Sequence, residues 1–171
     1  MIRRYLMPPA AVLAFACMAQ AQNPLSTETK QAYTGIKNNL TRAAEKMPEE
    51  AYSFKASPDV RSFGELIGHI AMSQMRTCSA VNGEMKQSSA GSAKTKAELV
   101  TALKDSFAEC DKAYDSLTDA TASQMIKGPR GERSKLGMLV GNTTHDNEEY
   151  GYLAVYMRLK GVVPPSSDRS R

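Results

Sequence analysis

Apolar residues recur at spacings of three and four in four stretches of this chain, separated by polar segments that carry glycine or proline. That period belongs to helices burying one face. The first stretch predicts a helix from about Thr27 to Lys46, with Ala32, Ile36, Leu40 and Ala43 inward, Ser26 or Thr27 as cap and Pro48 as stop. The second predicts Ser62 to Val81, with Phe63, Leu66, Ile67, Ile70 and Met75 on its apolar arc. The third opens on Thr95 and Glu98, a capping box, and carries Leu99, Ala102, Leu103, Phe107 and Cys110 to about Leu117. The fourth spans about Arg133 to Lys160 and ends at Gly161, with Pro164 and Pro165 beyond. Residues 48–60, 82–94 and 118–132 read as connectors, and no segment predicts a strand. Tyr52 and Phe54 are expected to pack over a bundle end, and Ser166 to Arg171 to form a disordered polar tail. The fold class these elements predict is all-α, a four-helix bundle.

The fourth stretch is polar where a core helix is normally apolar. Met138, Asn142, His145, Glu149, Tyr152, Tyr156 and Leu159 follow one another at alternating spacings of four and three, the seam of a bundle helix. A carboxylate in such a seam costs several kcal/mol unless it is paired or bound to a cation. His145 and Glu149 share a face one turn apart, and His69 lies beside the apolar arc of the second helix, with Leu66 before it and Ser73 after it. Two imidazoles and one carboxylate are the donor set of open zinc sites and of the triad that holds ferrous iron. The predicted ligands of a divalent metal (zinc, nickel, iron or manganese) are therefore His69, His145 and Glu149. The competing reading is a set of hydrogen-bonded core or surface residues. Glu65 and Asn142 are candidates to support a ligand from behind, against a solvated carboxylate and a buried amide. Tyr152 and Tyr156 are expected to pack in the core, and Asp146 and Glu148 to lie exposed.

Composition narrows the setting. Arg3 and Arg4, the short apolar run from Ala10 to Met18, and Ala19-Gln20-Ala21 form the pattern of a secretory signal over residues 1–21. The run is too short to span a bilayer, and lipidation at Cys17 lacks the usual leucine three residues earlier. The mature domain is expected over residues 22–165, in a secreted or periplasmic setting. Cleavage would remove two of 22 basic residues and leave 18 acidic ones, so the net charge falls from +4 to +2. That balance, without a basic cluster or tryptophan, argues against nucleic acid or an anionic membrane as partner. No serine arrangement suggests nucleophilic catalysis, no phosphate loop is present, and no catalytic residue beyond the metal ligands is assigned.

Cys78 and Cys110 remain after cleavage, and an oxidising compartment makes a disulfide the default over two buried thiols. Cys78 is near the end of the second helix and Cys110 in the later half of the third, so a bond requires those helices to run parallel. A connector of about 12 residues reaches about 36 to 40 Å, enough to return along a bundle of about 30 Å. The bonded pair thus predicts up-down-down-up topology.

Arg61-Ser62-Phe63-Gly64-Glu65-Leu66-Ile67-Gly68-His69-Ile70-Ala71, His145-Asp146-Asn147-Glu148-Glu149-Tyr150-Gly151, and the ending Tyr156-Met157-Arg158-Leu159-Lys160-Gly161-Val162-Val163-Pro164-Pro165-Ser166 resemble the DinB-like (DinB/YfiT) superfamily. The resemblance covers nearly the whole mature chain. It implies an up-down-down-up bundle and, as in many members, a divalent metal held by three histidines. His69 and His145 match two of those positions, and Glu149 stands at the third. A carboxylate adds charge and favours harder ions; loss of the site is the alternative. The resemblance also implies metal-dependent transferase or hydrolase chemistry on an unknown small substrate, in some members with an activated thiol. The rival expectation is a non-catalytic, stress-related binding bundle. Dimers through bundle faces are common among such proteins.

Overall fold

The computed structural model describes residues 23–128 and 131–169, and the predicted signal segment with Cys17 lies outside them. Four long helices make the molecule: α1 Pro24–Lys46, α2 Phe63–Val81, α3 Lys96–Asp115 and α4 Lys135–Leu159. A hairpin of β1 Met125–Gly128 and β2 Gly131–Ser134 stands between α3 and α4, and short 3-10 turns occupy Glu49–Ala51, Ser89–Gly91 and Pro165–Ser167.

Local chemistry explains where the helices start. Ser62 accepts from the Glu65 amide while Glu65 returns to the Ser62 amide, and Thr95 and Glu98 repeat the exchange on α3, so orphan donors are satisfied at both ends. Helix α1 begins a turn earlier than its sequence suggests. Pro24 occupies its first turn, and Asp119, from after α3, accepts from the amides of Leu25 (3.2 Å) and Ser26 (2.8 Å). The cap therefore comes from 93 residues away.

Helix directions follow from contacts at opposite ends. A Cβ on Gly64 or Gly68, early in α2, would stand 3.3 Å from a methyl of Leu99, early in α3. Cys78 and Cys110, late in the same helices, are disulfide-bonded with Cα atoms 4.9 Å apart. Thus α2 and α3 are parallel. Tyr33 near the start of α1 stacks on Tyr114 at the end of α3, with ring centroids 3.8 Å apart, while Glu45 at the end of α1 pairs with Lys104. The Tyr114 hydroxyl donates to the Leu139 carbonyl early in α4, and Tyr156, late in α4, donates to the Arg61 carbonyl just before α2. Both α1 and α4 therefore run against α2 and α3, which is the up-down-down-up order. Leu40, Ile67, Ile70, Leu103, Leu139, Leu153 and Met157 are fully buried in the core between them. Among the described residues no helix is long and apolar enough to cross a membrane.

Three expectations need correction. Residues 125–128 and 131–134 are paired strands, with Met125 opposite Ser134 and Gly128 opposite Gly131. The ladder is short and mostly exposed, so one-sided burial never wrote an alternating pattern into its sequence. It is held by its base, where Lys135 and Leu136 donate to the carbonyls of Gln124 and Ala122, and by Gly128, whose missing side chain leaves room for Met138. The α4 seam is also rotated from the predicted one: Tyr152 and Leu159 are exposed, whereas Leu139, Thr143, Asp146, Tyr150, Leu153 and Met157 are buried. Lastly, residues 166–168 are not a loose tail. Ser166 bonds the Tyr150 hydroxyl and Asp168 pairs with Arg42 and Lys46.

Candidate metal centre

Packing on α3 orients α2. Gly64 and Gly68 face Leu99, and at about 100° per residue His69 turns away from that contact toward α4. From α4, His145 and Glu149 project one turn apart to meet it. His69 Nε2 lies 3.1 Å from His145 Nε2 and 3.4 Å from Glu149 Oε1, and His145 Nε2 lies 3.6 Å from the same oxygen. A triangle with those edges has its centre about 2.0 Å from every corner, which is the length of a zinc bond to imidazole nitrogen or carboxylate oxygen. All three predicted ligands are thus brought together, with donor atoms that one cation could share.

The surroundings fit a cation as well. Glu149 is buried, and its Oε2 has no hydrogen-bond partner among the described residues. Burial pushes its carboxyl above the usual range, against the opposing pull of His145 and Arg61. A positive ion beside Oε1 would offset that cost. Burial, with help from Arg61, His145 and Arg76, makes His69 harder to protonate, which favours the neutral imidazole a metal requires.

Asp146 was expected at the surface and has no exposed area at all. It lies about 100° around α4 from His145, which points it into the core. Its Oδ1 stands 3.6 Å from His145 Nδ1, and its Oδ2 accepts from the Asn142 amide at 3.1 Å. Asn142 in turn donates to Tyr114 at 3.4 Å, and Tyr114 and Thr143 share a hydrogen bond of 2.8 Å. Burial raises the Asp146 carboxyl to about 6, against lowering by His145 and Asn142. In the other direction, contact with Asp146 raises His145 even though burial works to lower it. At 3.6 Å the two atoms are in ion-pair range without a hydrogen bond, and the negative charge beside Nδ1 favours a proton there, which leaves the Nε2 lone pair toward the three-atom centre. The buried series Leu139, Thr143, Asp146, Tyr150, Leu153, Met157 itself alternates four and three; that was the signal available for Asp146.

The other supporting candidate is corrected. Glu65 is exposed, and its carboxylate accepts from the Ser62 amide at 2.6 Å and lies 3.5 Å from Lys55, so it caps α2 instead of backing His69. Asn142 reaches Asp146, behind His145, and none of the three ligand atoms. Glu148 is exposed as expected, and Tyr156 is buried with its hydroxyl on Arg61.

His69, His145, Glu149 and Asn142 line a cleft of about 270 Å³ between α2, α4 and the hairpin. Ser73, Thr77, Arg76 and Arg133 complete its walls, and neither arginine was singled out from sequence.

Fold and site together define a four-helix bundle able to hold a metal on the wall of an open cleft. The family model of the DinB superfamily matches residues 32–153, and the chain belongs to that superfamily. Its fold is similar to the crystal structure of a DinB-like protein from Bacillus cereus ATCC 10987, with a TM-score of 0.70 at 15% identity, over 81% of this chain and 95% of that one. Among curated proteins none matches.

Proposed function

We propose that this protein binds one divalent metal ion through His69 Nε2, His145 Nε2 and Glu149 Oε1 and acts as a metal-dependent transferase or hydrolase on a small molecule in the adjoining cleft. The observation that carries the reading is the common centre of the three ligand atoms, beside a cleft with room for substrate. A bound ion there would supply Lewis acidity, polarising a substrate oxygen or acidifying a water. The chain would supply the rest: Asp146 holds the His145 ring, and Asn142 holds Asp146.

Export to an oxidising compartment is part of the proposal, supported by the signal pattern of residues 1–21 and by the Cys78–Cys110 bond. Reduced small thiols are scarce in such a place, so the chemistry proposed does not depend on one.

The test is metal analysis of the mature protein after chelation, dialysis and re-addition of zinc, nickel, iron(II) and manganese separately. Wild type should retain about one equivalent of its preferred ion, as a mononuclear site does, and His145→Ala should retain none. Equal metal content in both proteins would sink the proposal. A protein that takes up no metal at all would favour the non-catalytic bundle.

A further inference from the structure

The cleft beside the three ligand atoms holds two arginines that no carboxylate among the described residues pairs with. Arg76 stands on α2, two turns beyond His69, and Arg133 on β2, just before α4. Neither forms a salt bridge among the described residues, as is also true of Arg61, Lys127 and Arg158, but of the arginines and lysines only these two line this cleft. The acid on the cleft wall is Glu149, and its Oε1 is turned to the two histidines.

Arg133 is also held in place. Its Nη2 donates to the Gly137 carbonyl at 2.7 Å, which uses one of five donors and leaves the fork mostly open. One turn further along α4, Gly141 has no side chain, and a Cβ there would stand 3.0 Å from Nη1 and 3.3 Å from Nη2. A Cβ at 141 would make the guanidinium give by a few tenths of an ångström, and a side chain as large as leucine would need the space it occupies. The bare surface of α4 at Gly137 and Gly141 thus seats Arg133 at the cleft.

We propose that Arg76 and Arg133 bind an anionic group, a carboxylate or a phosphate, of the small molecule whose reacting end lies at His69, His145 and Glu149. This rests on reading the cleft as a substrate site. Guanidinium forks match the planar or tetrahedral oxygens of such groups and bind them in pairs of hydrogen bonds. Ser73 and Thr77, one turn apart on α2, add hydroxyls on the same wall. A cleft of about 270 Å³ has room for the anionic group and the carbon chain that carries it.

The experiment is calorimetric titration of the mature protein, metal-free and zinc-loaded, with malonate and separately with inorganic phosphate at low salt. At least one anion should bind, and the tighter of the two identifies the group. Arg76→Gln and Arg133→Gln should each weaken it about tenfold or more. Gly141→Leu should do the same with Arg133 still present, while Arg42→Gln on α1 should leave it unchanged. Metal content should not move in any of these variants. Circular dichroism reports whether Gly141→Leu folds; the two glutamine variants alter exposed residues and carry the test if it does not. Absence of binding by both anions, or binding indifferent to both arginines, overturns the inference. Binding that needs zinc and ignores the arginines overturns it while sparing the metal reading. Arginine-dependent binding to a protein that takes no metal upholds it and removes the metal reading instead.

Discussion

Asp146 Oδ1 lies 3.6 Å from Nδ1 of His145, on the edge of the ring opposite the one that faces His69 and Glu149. A carboxylate in that position fixes the ring and raises its basicity toward a cation. Asp146→Asn keeps the side chain's shape and removes the charge. Metal affinity should fall about 10- to 100-fold with the fold intact, measured by competition against a chromophoric chelator with circular dichroism alongside. An unchanged affinity would make Asp146 a core residue only.

As a proposed ligand, Glu149 should govern which ion is preferred. A carboxylate favours harder cations than imidazole does, so Glu149→His should raise the zinc-to-manganese affinity ratio about tenfold or more. Parallel competition titrations of the two ions measure that ratio. If it does not change, Glu149 is not a ligand.

The disulfide sets α2 beside α3 across 32 residues. Replacing Cys78 and Cys110 together by serine should cost about 3 to 4 kcal/mol of stability by the chain-entropy account. In a domain of this size that lowers Tm by roughly 10 °C. Calorimetry reads the shift, and intact mass after alkylation without reduction checks the bond. Two alkylated thiols in native protein would count against it.

Glu109 ties α3 to the segment that follows α2. Its buried carboxylate accepts from Asn82 at 2.6 Å, Lys86 at 2.9 Å and Lys112 at 3.3 Å. Burial tends to raise its pKa, and these three partners outweigh burial, so the group stays ionised below the ordinary carboxylate value. A folded pKa below the unfolded one means stability that is fully present above the unfolded value and lost as pH falls through the folded one. Glu109→Gln should therefore cost about 1 kcal/mol near neutrality and progressively nothing in acid. Urea unfolding from pH 7 down to pH 3 tests this; a deficit that does not narrow with acid assigns the effect to packing.

Helix periods, capping boxes and the Pro-Pro ending are written within a few residues of one another. The four helices were legible in the chain for that reason, whereas Cys78 with Cys110 followed from the oxidising setting and the trio His69, His145 and Glu149 from the polar seam and the family resemblance. The order of the helices followed too, because a bond between two late positions admits only parallel neighbours. Which polar residue faces inward was ambiguous, because one four-three series runs through His145 and another through Asp146. His145 and Asp146 differ by one step of about 100°, and only the packing of α4 against α1 and α2 decides that Asp146 takes the core and His145 the cleft. The Asp119 cap on α1, the hairpin and the seat of Arg133 over Gly141 depend likewise on groups far apart or on empty space beside a backbone. Such relations leave no local period behind. They arise when elements meet, and only the assembled bundle can show them.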